Sequence, residues 1–553
     1  MARFLVVIDT PGIKSFVFGT DALAEVRGAS ALLDWLNRED TEEILKQAPN
    51  LRIQTVFANG GTGQFIVEAP DRAHVQEALD QLAAYYRQET GGEMWPLAGV
   101  AEWPEALDYL SAVRAAFEHL RLQRNWGSRR PSIPTFPLVL ECESTSHLPA
   151  VGVYPWGEEQ LLLSQASQCK RNESWRARRG ILWSGWMDYL DESLGSGGLF
   201  SENADALRPN TTVDIGKYAQ RKGYVGLIYA DGNAMGRLVQ ELDSPEVCGA
   251  FSKLIDGSVR EACYEALSAV CTAEIQAAHA ALQAGYKPQE GDELEPLPAD
   301  ILLLGGDDLL VLLPAERALD FALKVTAAFE RLTRKGQAKL PQAARRFFAE
   351  RGLAERGLTI SCGVAIGPAN YPFYLLRDLA EELMRSAKRR GSEDPQKTDY
   401  WAPSYIDFHQ LAGSMSQDLE VIRQEDYRTD SDHPRTLRPY RRDDLEKLRE
   451  AALCLQQAKI PGSKLHDLFE AALEPRWLLA QTRCRELFGR LREDNTHHER
   501  RGLWDALCKV RQPIDLFSYP WLKNGQRSPT ALADLVEAHD LFSDADRKDG
   551  EDV

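Results

Sequence analysis

One order of elements occurs twice within the first 390 residues, and a chain written that way is limited to two related units. The first copy opens with ARFLVVID at 2–9, an apolar run that predicts a buried strand ending in Asp9. Apolar residues then recur at helical spacing from about Asp21 to Leu45, at Leu23, Val26, Ala29, Leu32, Leu33 and Leu36. LRIQTVFA at 51–58, the turn NGGTG and QFIVEA predict a strand–turn–strand unit. A helix from about Asp71 to Thr90 follows, and MWPLAGVAEW at 94–103 closes the unit as a strand. The second copy runs from about 222 to 390. Tyr224–Ala230 is its first strand and DGNAMG at 231–236 the loop after it. A long helical stretch covers 245–283, with Ser244 as N-cap and Pro245 in the first turn. A polar loop at 285–300 leads into ILLLGGDDLLVLLP at 301–314, two apolar runs around a glycine turn. A helix over 315–335, the strand LTISCGVAIG at 358–367 and a helix from Phe373 to Arg390 complete the copy.

Strand, helix, two strands, helix, strand is the ferredoxin-like order. The expected fold class is therefore α+β, with two ferredoxin-like domains at 1–103 and 222–398. Between them, 104–221 begins with a helix at 104–124 and then becomes irregular, rich in Pro, Gly and Ser clusters. The remainder, 399–553, reads as a helical domain with helices at 443–457, 462–472, 475–492 and 503–510 and an acidic tail.

Composition removes several classes. No apolar run is long enough to cross a bilayer, and MARFLVVIDTPG lacks the h-region and cleavage site of a signal peptide. The expected location is cytoplasmic, with no membrane partner. Nine cysteines without a single CxxC argue against a disulfide framework or an intact zinc ribbon. A net charge of −18 gives no global nucleic-acid footprint. One local stretch differs: Arg121, Arg124, Arg129 and Arg130, then Lys170, Arg171, Arg176, Arg178 and Arg179, alternate with Trp126, Trp175 and Trp183. Such residues can grip RNA through phosphates and stacking, but a solvated surface with anchoring tryptophans is the simpler reading in an acidic chain. The pairs His466-Asp467 and His539-Asp540 lack the further ligands that a metal-dependent hydrolase needs.

The chemistry concentrates in the second unit. Gly305 and Gly306 supply the permissive backbone of a tight turn, and Asp307 and Asp308 follow at its tip. Asp and Gly are also the commonest residues of a plain solvated turn. A ferredoxin-like sheet, however, sets its first strand beside this hairpin, which brings Asp231 to Asp307 and Asp308. Three carboxylates at one sheet edge call for a hard divalent cation, Mg²⁺ or Mn²⁺, so these three are the expected catalytic and metal residues. The candidate nucleotide-binding residues are Gly232, Asn233 and Gly236 of the loop, Gly305 and Gly306 of the turn, and Lys388 on the last helix. The reaction class implied is nucleotidyl transfer or cyclisation from a nucleoside triphosphate.

LIYADGNAMGRLV, LLLGGDDLLVLLP, ISCGVAIGP and the AEELMRSAKRR helix together resemble the catalytic palm of the large polymerase-like subunit of type III CRISPR effector complexes. They are similar, more distantly, to GGDEF diguanylate cyclases and class III nucleotidyl cyclases. IDTPGIKSFVFG, LAEVRGASALLDWL and FANGGTGQFIV resemble the first, non-catalytic palm of the same subunit. The resemblance implies two ATP molecules joined 3′–5′ into cyclic oligoadenylates, with Asp307 and Asp308 as the GGDD acids and Asp231 as the acid of the first strand. It also implies partners: the other type III subunits, guide RNA and target RNA. Gly60-Gly61-Thr62-Gly63 stands where the first palm would carry acids, which implies no catalysis there.

Some positions depart from that pattern. The first palm begins at residue 1, so no HD-type DNase is expected. CESTS at 142–146 and Cys169 resemble a worn remnant of the family's cysteine zinc site, so zinc is not expected. Asn233 stands where an Asp is common, and Leu304 precedes the GGDD in place of a small or aromatic residue. Two other functions fit the same residues: a catalytically idle scaffold of an RNA-guided complex, and a stand-alone GGDEF-like cyclase.

Overall fold

A computed structural model describes residues 1–127, 139–145, 148–156, 159–177, 181–286, 294–411, 418–425, 427, 436–457, 462–474 and 531–542, with isolated positions between 476 and 486. In the first unit, strands β1 (Ala2–Asp9), β2 (Arg52–Asn59), β3 (Thr62–Ala69) and β4 (Leu97–Glu102) form an antiparallel sheet in the order β2-β3-β1-β4. This is the ferredoxin-like topology expected from the element order. The middle of strand β1, Phe4–Ile8, is apolar because both of its faces are covered. Phe4, Val6 and Ile8 enter one core with Val26, Ala29 and Leu33. Leu5 and Val7 enter the other with Ala112, Ala116 and Leu120 of the helix Tyr109–Gly127.

The helical segment after β1 is broken in three: Leu23–Trp35, a π turn at Leu36–Asp40, and Thr41–Gln47. The helix Arg72–Glu89 starts as its sequence suggests, with the Asp71 carboxylate accepting from the His74 amide at 3.1 Å.

Two further strands, β5 (Gly152–Trp156) and β6 (Glu159–Leu163), form a separate hairpin in the region between the units. The second unit contains β7 (Tyr224–Gly232), β8 (Asp300–Gly305), β9 (Asp308–Pro314) and β10 (Ile360–Pro368) in the same arrangement. Its sheet does not stop near residue 398. Strand β11 (Tyr405–Gln410) adds parallel to β10, and β12 (Tyr440–Arg441) adds beyond it, giving the order β12-β11-β10-β7-β9-β8. A six-residue strand in a helix-rich stretch offers little periodicity to read. The predicted 245–283 helix is also two helices, Pro245–Val270 and Thr272–Gln283, because Cys271 leaves the helical conformation at φ −114° and ψ 24°. Ser244 caps the first of them through its hydroxyl and the Val247 amide at 3.3 Å.

The region 104–221 is more ordered than its composition suggests. Helices Gln165–Ala177 and Ile181–Leu194 were not evident in the pattern. They bury part of the basic and aromatic stretch. Trp183 is fully buried and packs edge-on against Trp186 with ring centroids 5.1 Å apart. Lys170 is buried, and Arg171 is buried against Glu25 at 2.7 Å. Arg121 is exposed, while Arg124 pairs with Asp9 at 2.6 Å. Arg129, Arg130, Arg178 and Arg179, and the side chains of Trp126, Trp175 and Arg176, lie outside the described residues. So do the predicted helix at 503–510, most of the one at 475–492, and the acidic tail. His539 pairs with Asp540 at 2.8 Å, but among the described residues no group of three or more His, Cys, Asp or Glu is arranged to hold a metal. No helix among them is long and apolar enough to cross a membrane.

The two units are packed through the helix Leu23–Trp35. Glu25 bonds Arg171, and Arg27 bonds Asp300 of β8 at 2.6 Å, where Arg208 also reaches Asp300 at 3.0 Å. Between these charges, Gly28 lies directly against the helix Gln165–Ala177: a Cβ there would sit 1.7 Å from the Lys170 carbonyl oxygen. Gly28→Ala is therefore expected to destabilise the protein by about 3 kcal/mol or more. Gly257→Ala, in the exposed middle of Pro245–Val270 with nothing within 4 Å of the added carbon, is expected to stabilise by roughly 0.5–1 kcal/mol. Urea unfolding of both variants against the parent measures the two shifts.

Candidate active site

The antiparallel register of β7 and β9 pairs Ala230 with Leu309. Continuing it by one step places Asp231 across from Asp308, and by two steps Gly232 across from Asp307. The two-residue turn of the hairpin is Gly306-Asp307 rather than Gly305-Gly306, since Gly305 pairs with Asp308. Only Gly306 takes a positive φ, at +62°. Gly232 makes room for the acid beside it: a Cβ there would lie 2.8 Å from the Asp307 Oδ2 atom and 2.7 Å from Met235 Cγ.

Burial decides the electrostatics of this edge. It pushes the carboxyls of Asp307 and Asp308 up to about 7, helped in both by the charge of Asp231. Lys388 counters this from the helix Phe373–Ser392, with its Nζ 2.8 Å from Asp231 Oδ2. The pattern alone did not single out three other groups. Lys14, from the first unit, reaches across to Glu381 at 2.9 Å and lowers the Asp308 carboxyl. Tyr229, two residues before Asp231, is buried with its hydroxyl unpartnered, and burial pushes its phenol well up. Lys14 and Glu381 are 367 positions apart, so no local spacing signals their pairing.

A cleft of about 770 Å³ opens beside Asp231 and Asp307. On its wall Arg237, Arg385, Lys388, Arg389 and Lys397 outnumber Asp231, Asp307 and Asp399, and Trp401 and Met235 add apolar surface. Its volume suits a nucleotide-sized ligand. Two predicted binding residues, Gly305 and Gly306, do not line this cleft, and a third, Asn233, lines it with its side chain engaged elsewhere. Asn233 turns inward: its side chain donates to Thr359 Oγ1 at 3.1 Å and accepts from Ser361 Oγ at 3.0 Å, and its amide donates to the Thr359 carbonyl. A short amide beside the β10 edge finds buried partners there more readily than it reaches ligand. Gly305 and Gly306 leave the cleft for the contact with the first unit, because that unit's hairpin covers them. Gly306 meets Gly60, where a Cβ would be 3.8 Å from the Gly60 Cα. Gly232, Asn233, Gly236 and Lys388 line the cleft, and beside Gly236 there is open space.

These residues suit a hard cation in a limited way. Mg²⁺ keeps several waters and takes one or two carboxylates plus substrate phosphates, so it does not need a closed cage. Asp231, Asp307 and Asp308 would hold it; as they stand, they do not form a group already drawn together around a metal. The region of Cys142 has another character. Cys142 Sγ lies 3.5 Å from Ser167 Oγ, and the hydroxyls of Ser167, Thr145 and Ser164 bring its thiol down to about 7 against the upward push of burial. Its partners are therefore hydroxyls, and Cys169 belongs elsewhere, beside Gln165 at 3.9 Å.

Residues 224–395 match the family described as Cas10/Cmr2, second palm domain. The second unit is a Cas10/Cmr2 palm. The whole chain also resembles solved Csm1 structures: the Csm1–Csm4 cassette with pppApApA (TM-score 0.52, 13% identity, 92% of this chain and 69% of that one). A second is the cassette with cA3 (0.52, 15%, 98% and 69%). A third is Csm1 of T. onnurineus (0.51, 15%, 92% and 70%). At this identity the likeness is one of fold, and the fold is the Cas10-like double palm. No curated protein matches the chain.

The raised carboxyls of the palm have a consequence for stability. Groups whose folded value lies near 7 and unfolded value near 3.8 hold protons in the folded state that the unfolded chain gives up. Their contribution is full below the unfolded value and is lost as pH rises through 7. In buffer free of divalent ions, Asp307→Asn/Asp308→Asn should be more stable than the parent at pH 8, with the difference shrinking towards pH 5. Urea titrations across that range provide the measurement.

Proposed function

We propose that the second palm joins nucleoside triphosphates through 3′–5′ phosphodiester bonds, making cyclic oligoadenylates from ATP within a type III CRISPR effector complex. The carrying observation is the convergence of Asp231, Asp307 and Asp308 beside a basic cleft of nucleotide size, inside a Cas10/Cmr2 palm. Supporting it, structures of the same fold are described as bound to pppApA, to the ATP analogue AMPPNP and to cA4. A further structure, described as a Csm1–Csm4 subcomplex of the type III-A CRISPR-Csm interference complex, supports a Csm4-like subunit as a partner.

The reaction forms a bond between the 3′-oxygen of one nucleotide and the α-phosphorus of another. It breaks the bond from the α-phosphorus to the bridging oxygen and releases pyrophosphate and the hydroxyl proton. Arg237, Arg385, Arg389 and Lys397 line the cleft and bind the polyphosphate chain. Lys388 holds Asp231 in line with the hairpin. Asp231, Asp307 and Asp308 would hold Mg²⁺ or Mn²⁺, which would supply charge neutralisation at the reacting phosphoryl group. Gly60-Gly61 leaves the first palm without such acids, so its role is to support the second.

The test is conversion of each radiolabelled nucleoside triphosphate with Mg²⁺, by the full chain alone and with co-purifying subunits and target RNA. ATP should give cyclic oligonucleotides, and Asp307→Ala/Asp308→Ala should reduce the rate by roughly a hundredfold or more. A verified complex with target RNA that turns over no nucleotide would overturn the reading and leave a scaffold.

A further inference from the structure

Each palm carries an Asp and an Arg four residues apart on the segment that follows its first strand: Asp34 and Arg38 in the first, Asp256 and Arg260 in the second. The pairs cross. Arg38 grips Asp256 with two hydrogen bonds, Nη2 to Oδ1 at 2.6 Å and Nη1 to Oδ2 at 3.1 Å. Arg260 reaches back to Asp34 at 3.4 Å. Within each palm, Arg38 also meets Asp34 at 2.6 Å and Arg260 meets Asp256 at 3.3 Å. All four side chains are largely buried, so their attraction is weakly screened.

The quartet is attached to the hairpin of the acids at two points, one on the strand that enters its turn and one at the turn's first residue. Asp256 Oδ1 accepts from the Gly306 amide at 3.3 Å, and Arg260 donates to the Leu304 carbonyl at 3.3 Å. Residues 304 and 306 lead directly into Asp307 and Asp308. The oxygen that takes the Gly306 amide is the one held by Arg38 Nη2. Against the same turn lies the first palm's own glycine tip, at Gly60. The backbone carrying the acids is therefore held by a carboxylate whose orientation is set from the other palm.

We propose that Arg38 of the first palm is a positioning residue for Asp307 and Asp308, acting through Asp256 and the Gly306 amide. It touches neither substrate nor reacting atoms. The inference rests on the nucleotidyl-transfer reading for its effect on rate, but the fixing of the turn can be measured without it. It also gives a first palm without acids a definite task at the second palm's site.

Arg38→Lys, Arg38→Gln and Asp256→Asn would be made in the full chain, with Ser252→Ala as control. Ser252 accepts from Asn59 across the same interface at 2.8 Å, and that bond reaches the first palm's hairpin rather than the Asp256–Gly306 contact. Three readouts are taken: hydrogen exchange of a peptide spanning 301–310, Mn²⁺ affinity, and kcat against KM for the nucleotide that the parent turns over. Arg38→Gln should speed exchange at Gly306, weaken Mn²⁺ binding roughly tenfold and lower kcat about ten- to hundredfold, with KM held within about twofold. Arg38→Lys keeps the charge without the fork and should fall between. Ser252→Ala should move none of the three.

If Arg38→Gln does not fold, Arg38→Lys and Asp256→Asn carry the test. Folded variants with parental exchange and parental Mn²⁺ affinity would overturn the proposal, as would an equal effect from Ser252→Ala. A parent that makes no product, with exchange and Mn²⁺ affinity still lost in the Arg38 variants, would overturn the reaction and support the positioning.

Discussion

Charged side chains buried along one helical segment hold this molecule together. From Leu23 to Arg38, one stretch sends Glu25 to Arg171 of the inter-palm region, Arg27 to Asp300 of β8, and Arg38 to Asp256 of the second palm. Taking such ions out of water costs several kcal/mol each, and only good geometry with further hydrogen bonds repays it. An apolar interface of the same area would be as stable and would tolerate sliding. Paired charges with fixed partners do not, because a shift of a few ångströms leaves an ion buried alone. Close backbone packing at Gly28 makes the same demand by steric means.

That rigidity matters because the acids of the second palm are poised unfavourably. Asp307 and Asp308 are buried beside Asp231, and their carboxyls rise towards neutrality for that reason. Isolated, such a turn would relax by moving an acid into solvent. Here β7 holds one side, the Gly306 amide is bound to Asp256, and Gly60 closes the other side.

The two palms share a topology but divide the work. In the second, the first-strand acid Asp231 faces Lys388; in the first, Asp9 faces Arg124 at 2.6 Å from the corresponding helix. Yet the first hairpin turns on Gly60 and Gly61, both at positive φ, and carries no acid there. The first palm contributes instead from its flanks, with Lys14 at Glu381 and Arg38 at Asp256.

The sequence by itself determined the repeated element order, the strands that flank each glycine turn, the acids at 231, 307 and 308, and the lysine at 388. These are local signals: apolar runs, turn residues and caps act over a few positions, so they survive without knowledge of distant partners. It was silent or misleading where a residue's environment comes from far along the chain. Arg171 looked like surface and is buried, because Glu25 meets it only after folding. Asn233 lines the cleft as its position suggests, but its side chain is held by Thr359 and Ser361, more than a hundred positions later. Lys14, Arg38 and Asp256 carried no signal, since a charge on a helix reads as solvated until its partner is known. Only the tertiary structure decided which charges would be buried together, because that depends on how two separately legible palms pack, and no local pattern encodes it.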